Sequence, residues 1–236
     1  MIRLVKEIEV SSPPGIVIRR LRSVDDAQIE GLADLLIDSI DGGASVSFMH
    51  PLAPAKAQAF WRRIAAEVAA GARALLVAED EAGIVGTVQL VLAQPENQPH
   101  RADLAKMLVH RRARRRGLGA ALMQEAEQLA RDSGKTLLVL DTVTGSDAER
   151  LYARLGWIRV GAVLAHRPGH ESALRPGTGV AALVAQRAFR PRHRGGSTWR
   201  RSSLPGRCLR GHEGTLVLSA LVGVSAIWLG PGHSAL

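Results

Sequence analysis

The sequence predicts an α/β fold in which one mixed sheet is flanked by helices. Three observations carry this expectation. Strand-like and helix-like segments follow one another in the order β-α-α-β-β-β-α-β-α-β up to about residue 165. Three strands in a row break the strict alternation that a doubly wound sheet requires. Finally, 46% of the 236 residues are apolar, enough for a sizeable and mostly aliphatic core.

GIVIRRLR (15–22) alternates as a first strand should, and SVDDAQIEGLADLLIDSI continues at helical spacing behind a Ser23 cap. APAKAQAFWRRIAAEVAAG (53–71) reads as a second helix that Gly71 stops. RALLVAEDEAGIVGTVQLVLA is a hairpin turning through EDEAG. RADLAKMLVH is then a strand, with a buried core at 104–109, and GLGAALMQEAEQLARDSG is a helix ending at Gly134. KTLLVLDT is a strand, SDAERLYARLG a short helix capped by Ser146, and WIRVGAVL a last strand. From His166 onward the periodicity dissolves, and residues 166–236 read as a weakly structured, irregular tail rich in Arg, Gly, Pro and Ser. Its composition resembles out-of-frame reading of GC-rich coding sequence. On this reading the sheet ends at the sixth strand with an open edge, and removal of residues 171–236 leaves ligand binding intact.

The net charge of +9 suggests a nucleic-acid binder until it is divided along the chain. Residues 1–165 carry 21 Lys and Arg against 20 Asp and Glu, whereas residues 166–236 carry 10 Arg against two Glu. The excess therefore belongs to the tail. Aromatic residues for stacking on bases are scarce, so no specific nucleic-acid partner is expected. The apolar run 215–230 is shorter than the roughly 20 residues of a membrane span, and the first residues lack a signal-peptide core. With Cys208 as the single cysteine there is no intrachain disulfide, and a reducing cytoplasm is the expected compartment.

The stretch VHRRARRRGLGAAL (109–122) holds the chemistry. A strand ends, arginines follow, and a helix opens on Gly117 and Gly119. Glycines let backbone N–H groups approach a ligand, a helix N-terminus offers unpaired donors and a positive dipole end, and arginines add charge-assisted bonds. This suits a pyrophosphate. It is neither GxxxxGK[ST] nor GxGxxG.

RRRGLG between strand and helix resembles the coenzyme A signature of the GNAT superfamily of N-acetyltransferases. AERLYARLGW, with Ala148, Tyr152, Gly156 and Trp157, resembles that family's second signature. The likeness covers about residues 16–163 and looks most like the small antibiotic- and toxin-resistance branch, such as tabtoxin-resistance acetyltransferases. It implies a mostly antiparallel GNAT-like sheet and a domain over residues 1–165. It also implies acetyl-CoA as cosubstrate, no metal, a small-molecule amine as acceptor, and the capacity to form a homodimer.

By the same resemblance the backbone of Met107, Leu108 and Val109 holds the pantetheine arm, and the N–H of Leu108 or Val109 polarises the thioester carbonyl. Arg114, Arg115, Arg116, Gly117, Leu118, Gly119 and Ala120 wrap the pyrophosphate. Tyr152 protonates the leaving thiolate, and Asp141 or Asp103 helps remove the amine proton. Asp41, in the loop after the first helix, is available to attract a cationic acceptor. Gly145 stands where the family often has Asn. Two other readings compete: a basic nucleic-acid-binding protein, and a catalytically impaired GNAT-like relic.

Overall fold

The computed structural model describes residues 12–44, 46–165 and 180–189. Its elements are β1 (Val17–Leu21), α1 (Asp26–Asp41), α2 (Pro54–Ala69), β2 (Arg73–Asp80), β3 (Gly83–Val91), β4 (Arg101–Val109), α3 (Leu118–Asp132), β5 (Leu137–Val143), α4 (Asp147–Arg154), β6 (Ile158–Ala165) and β7 (Val180–Ala188). The seven strands form one sheet in the order β1-β2-β3-β4-β5-β7-β6. Only β4 and β5 run parallel; every other neighbouring pair is antiparallel.

Local chemistry accounts for most boundaries. Helix α1 begins two residues later than a Ser23 cap would allow. Asp25 is the N-cap, and it exchanges hydrogen bonds with Gln28 in a capping box. Pro54 opens α2, where its missing N–H costs nothing. Ser146 caps α4 by accepting from the Glu149 N–H at 3.1 Å. Each sheet face is covered by one pair of helices. Leu32, Leu35 and Leu36 of α1 and Trp61 and Ile64 of α2 are buried against Leu75, Val77 and Leu108. On the other face Leu118, Leu122, Met123 and Ala126 of α3, with Tyr152 of α4, pack on Leu76, Val88, Leu90, Leu104 and Leu140.

The largest departure from the sequence reading is β7, which arises in the part read as an irregular tail. It inserts between β5 and β6, with Asp141 opposite Val184 and Val163 opposite Ala182. The sheet therefore has a seventh strand, placed inside it, and β6 is still its edge. VAALVAQRA carries no alternation of apolar and polar residues and four alanines, so it lacks the usual strand signature. Its ladders to β5 and β6, and not its own pattern, mark it as a strand. Residues 166–179 and 190–236, including the apolar run 215–230, lie outside the described residues.

A buried carboxylate ties β7 to the helices. Glu127 of α3 is 3% exposed and accepts from Trp157 Nε1 at 3.1 Å. Arg187 of β7 meets it at 3.0 Å, and Arg131 lies at 3.7 Å. Arg187 also donates to the Leu155 carbonyl. Burial pushes the Glu127 carboxyl above its ordinary value, while Arg187, Trp157 and Arg131 oppose the shift.

Two predictions follow from β7. A chain ending at residue 170 loses the strand that joins β5 to β6 and is expected to show no cooperative thermal transition by circular dichroism, whereas a chain ending at Arg190 retains one. Arg187→Leu leaves Glu127 with weaker compensation and is expected to cost about 2 kcal/mol, read as a lower midpoint in urea.

Candidate functional site: the gap between β4 and β5

Strands β4 and β5 pair only from Arg101 opposite Leu137 to Asp103 opposite Val139. Beyond that they separate, and the gap is the central feature of the site. At the same height β4 bulges against β3. Thr87 stands opposite Leu108 but Gln89 opposite Ala105, so Lys106 and Met107 share the place facing Val88. Lys106 takes a left-handed φ of 50°. Bulges of this kind re-aim the residues after them.

The peptide groups at the end of β4 can be followed one by one. The His110 N–H donates to the Val85 carbonyl on β3 at 2.8 Å. Successive residues of an antiparallel strand send their N–H and C=O groups to opposite edges. The groups of Val109 therefore point away from β3, into the gap, while those of Leu108 point to β3. Consistent with this, the Val109 carbonyl accepts from Arg114 Nε at 3.0 Å. Of the two residues that the sequence offered as oxyanion donor, Val109 has its N–H on the open side.

After Val109 the chain makes a 3-10 turn, Arg111–Ala113, then two left-handed steps at Arg115 (φ 60°) and Gly117 (φ 84°) before α3 starts. The arginines here have different duties. Arg111 donates its backbone N–H to Asp38 Oδ2 at 3.0 Å and its guanidinium to Oδ1 of the same carboxylate. Asp38 is only 9% exposed, and His110 Nε2 approaches it at 3.4 Å. Arg112 pairs with Asp80 of β2, whose carboxyl lies below its ordinary value although burial opposes the shift, because Arg112, the Ala82 N–H and Arg116 favour the ionised form. Arg116 reaches the Pro14 carbonyl at 3.2 Å. Arg114, Arg115 and Arg116 are exposed and carry no carboxylate partner among the described residues.

No side chain caps α3 and no acidic residue stands in its first turn. The N–H groups of Ala120 and Ala121 turn back to the Gly117 carbonyl at 3.0 and 3.1 Å, leaving those of Leu118 and Gly119 as helix-terminal donors. Gly117 is needed for its φ. At Gly119 the packing is close: a Cβ there would stand 3.1 Å from Leu151 Cδ2 of α4, and that side chain would have to shift by a few tenths of an ångström to admit it. The turn thus presents uncapped donors, a helix dipole end and three exposed guanidinium groups without a carboxylate partner among the described residues, a combination that fits the phosphates of a coenzyme.

Tyr152 of α4 belongs to the core cluster that includes Leu140 and that Met107 and Val109 pack against; it is 6% exposed, its ring centroid 6.1 Å from that of Trp157. Burial pushes its phenol well above the ordinary value and Asp141 adds to the shift, so the hydroxyl keeps its proton at neutral pH. Asp141 lies on β5 past the last residue paired with β4, and it is exposed where the sequence suggested partial burial. Asp103 sits on the still-paired part of β4 and is committed to Arg101 through bonds of 2.6 and 3.1 Å. The two carboxylates are not equivalent: Asp141 borders the gap without an ion-pair partner among the described residues, and Asp103 does not. Asp41 faces His50 at 3.4 Å. Gly145, in the turn before α4, has φ 79°.

Sequence reasoning missed Lys106. Its ammonium is held below its ordinary value by burial, with Asp141 opposing and Arg73 and Arg63 reinforcing. Its Nζ lies 3.5 Å from Ser47 Oγ and 5.7 Å from the ring centroid of Phe60. Asp38 was missed too, although a lone acid in the apolar run LLIDSI is a signal for a buried anchor.

Residues 44–157 match the model of the acetyltransferase (GNAT) family. The fold is shared with a GCN5-related N-acetyltransferase from Kribbella flavida at 24% identity and TM-score 0.59, over 75% of this chain and 100% of that one. It is shared equally with a ribosomal-protein-alanine N-acetyltransferase from Brucella melitensis (20% identity, TM-score 0.58, 73% and 99% covered). A Salmonella typhimurium protein whose structure includes its cofactor acetyl-CoA aligns at 17% identity and TM-score 0.57, over 77% and 97% of the two chains. The acetyltransferase (GNAT) match thus spans residues 44–157, and the sheet around them has the fold of these acetyltransferase structures.

Proposed function

We propose that this chain is an N-acetyltransferase that moves the acetyl group of acetyl-CoA to the primary amine of a small molecule, as an antibiotic- or toxin-modifying enzyme would. The observation that carries the reading is the gap itself. A backbone N–H of Val109 turned into the gap, and the buried, protonated phenol of Tyr152 in the core cluster that Val109 packs against, support it. Bound acetyl-CoA would supply the acetyl group as a thioester.

The residues then divide the work. Leu118 and Gly119 N–H groups, the backbone of Arg114 to Ala120 and the guanidinium groups of Arg114, Arg115 and Arg116 hold the pyrophosphate. Met107 and Val109 offer main-chain groups along the gap to the pantetheine arm, while Leu108 packs its side chain into the core. The Val109 N–H steadies negative charge on the carbonyl oxygen as the amine nitrogen bonds to the acetyl carbon. Asp141 accepts the proton that the ammonium must lose before attack. As the carbon–sulfur bond breaks, Tyr152 gives its proton to the sulfur and is recharged from the new amide nitrogen or from water. Asp103 acts by fixing Arg101 and the paired ends of β4 and β5.

Tyr152→Phe is expected to lower kcat by about 100-fold with acetyl-CoA affinity nearly unchanged, followed by thiol release and calorimetry. Unaltered turnover would remove Tyr152 from the chemistry. Asp38→Ala frees Arg111 and slackens the phosphate turn, so the opposite pattern is expected: a roughly tenfold weaker Kd for coenzyme A, equivalent to about 1.4 kcal/mol. Equal affinity in that variant would separate the turn from the coenzyme.

A further inference from the structure

Lys106 is the feature that coenzyme binding and proton transfer leave unexplained. Three observations converge on it. It holds a left-handed φ of 50° at the bulge, a position that favours glycine and that a lysine occupies only under strain. It is half-buried, and no carboxylate stands within ion-pair distance of it among the described residues. Its neighbours are a hydroxyl, Ser47 Oγ, and the face of Phe60. A partly desolvated ammonium with so little compensation is a seat for an anion.

Sheet alternation places this seat on the acceptor's side. Tyr152, Met107, Val109 and Leu140 belong to the core on the α3 and α4 face. Asp141 follows Leu140 and so projects to the other face, where Phe60 of α2 and Lys106 meet. Arg63, stacked on the Phe60 ring at 5.6 Å, and Arg73, paired with Glu67 at 2.7 Å, add positive potential around Lys106. Asp141 is the counterweight on the same face, so the surface presents a cation and an anion to a single ligand.

We infer that the acceptor is a small zwitterion of the amino-acid type, its acidic group seated on Lys106 and Ser47 and its amine turned toward Asp141. This rests on the N-acetyltransferase reading and narrows its substrate class. A peptide N-terminus or a polyamine, which offers no acid near the amine, fits the seat poorly.

Thiol release is compared for a panel of amino acids, their carboxamides and spermidine. In the unaltered enzyme kcat/KM for the acids is expected to exceed that for the carboxamides by roughly tenfold or more. Lys106→Met is expected to collapse that ratio to near unity and Lys106→Arg to preserve it. Preference for carboxamides or spermidine, or an acid preference that survives Lys106→Met, overturns the inference. So does an equal loss on acids and carboxamides, which would make Lys106 a base and not an anion seat. If no amine releases thiol, the transferase reading fails while the seat is still read by saturation-transfer NMR with N-acetylglycine and N-acetylglycinamide. Binding of the acid alone, lost in Lys106→Met, supports the seat; equal binding of both overturns it.

Discussion

The short parallel contact between β4 and β5 is the constraint on which the rest of the molecule depends. Were the two strands to pair along their whole length, Val109 would spend its N–H and carbonyl in a ladder and no gap would exist. They are joined at Asp103 and Val139 and then part. Each is secured on its other edge, β4 by β3 and β5 by β7. Those outer ladders let the inner edges stay apart without unravelling the sheet. This gives β7 a role beyond closure: without it, β5 would have only its short contact with β4, and the buried Glu127 would lose Arg187.

The gap also connects the two faces of the sheet. On one face α3 and α4 bring the uncapped helix end and Tyr152; on the other α2 brings Phe60 beside Lys106. On the proposed function, donor and acceptor would approach a common point from opposite sides, with one layer of backbone between them. The Coulombic influence of Asp141 on both Tyr152 and Lys106 is the physical expression of that arrangement.

Much of this was legible in the sequence, and what was not has identifiable causes. The turn before α3 and the helix bearing Tyr152 could be read because their residues are local: glycine for a positive φ, serine for a cap. The α1 boundary was readable in principle, since Asp25 and Gln28 spell a capping box three residues apart, but Ser23 offered an equally plausible cap. Asp103 resembled a free base until its place on a strand is considered, where Arg101, two residues earlier, shares its face. Lys106 was invisible because its position depends on a bulge set by register against β3, a non-local property. The β7 strand was hidden for a related reason: its apolar, alanine-rich run has meaning only once β5 and β6 are known to lie on either side.

The arginine run shows how composition alone misleads about charge. Its first two members meet carboxylates from elsewhere in the fold, Arg111 with Asp38 of α1 and Arg112 with Asp80 of β2. These pairs pin the start of the turn to two separate elements, which fixes where the remaining three arginines and the helix end can point. Arg114 bends back to the Val109 carbonyl at the mouth of the gap, and so links the phosphate-facing turn to the strand that would carry the reacting group. Here Arg111 and Arg112 are spent on anchoring, and Arg114, Arg115 and Arg116 are left without carboxylate partners among the described residues.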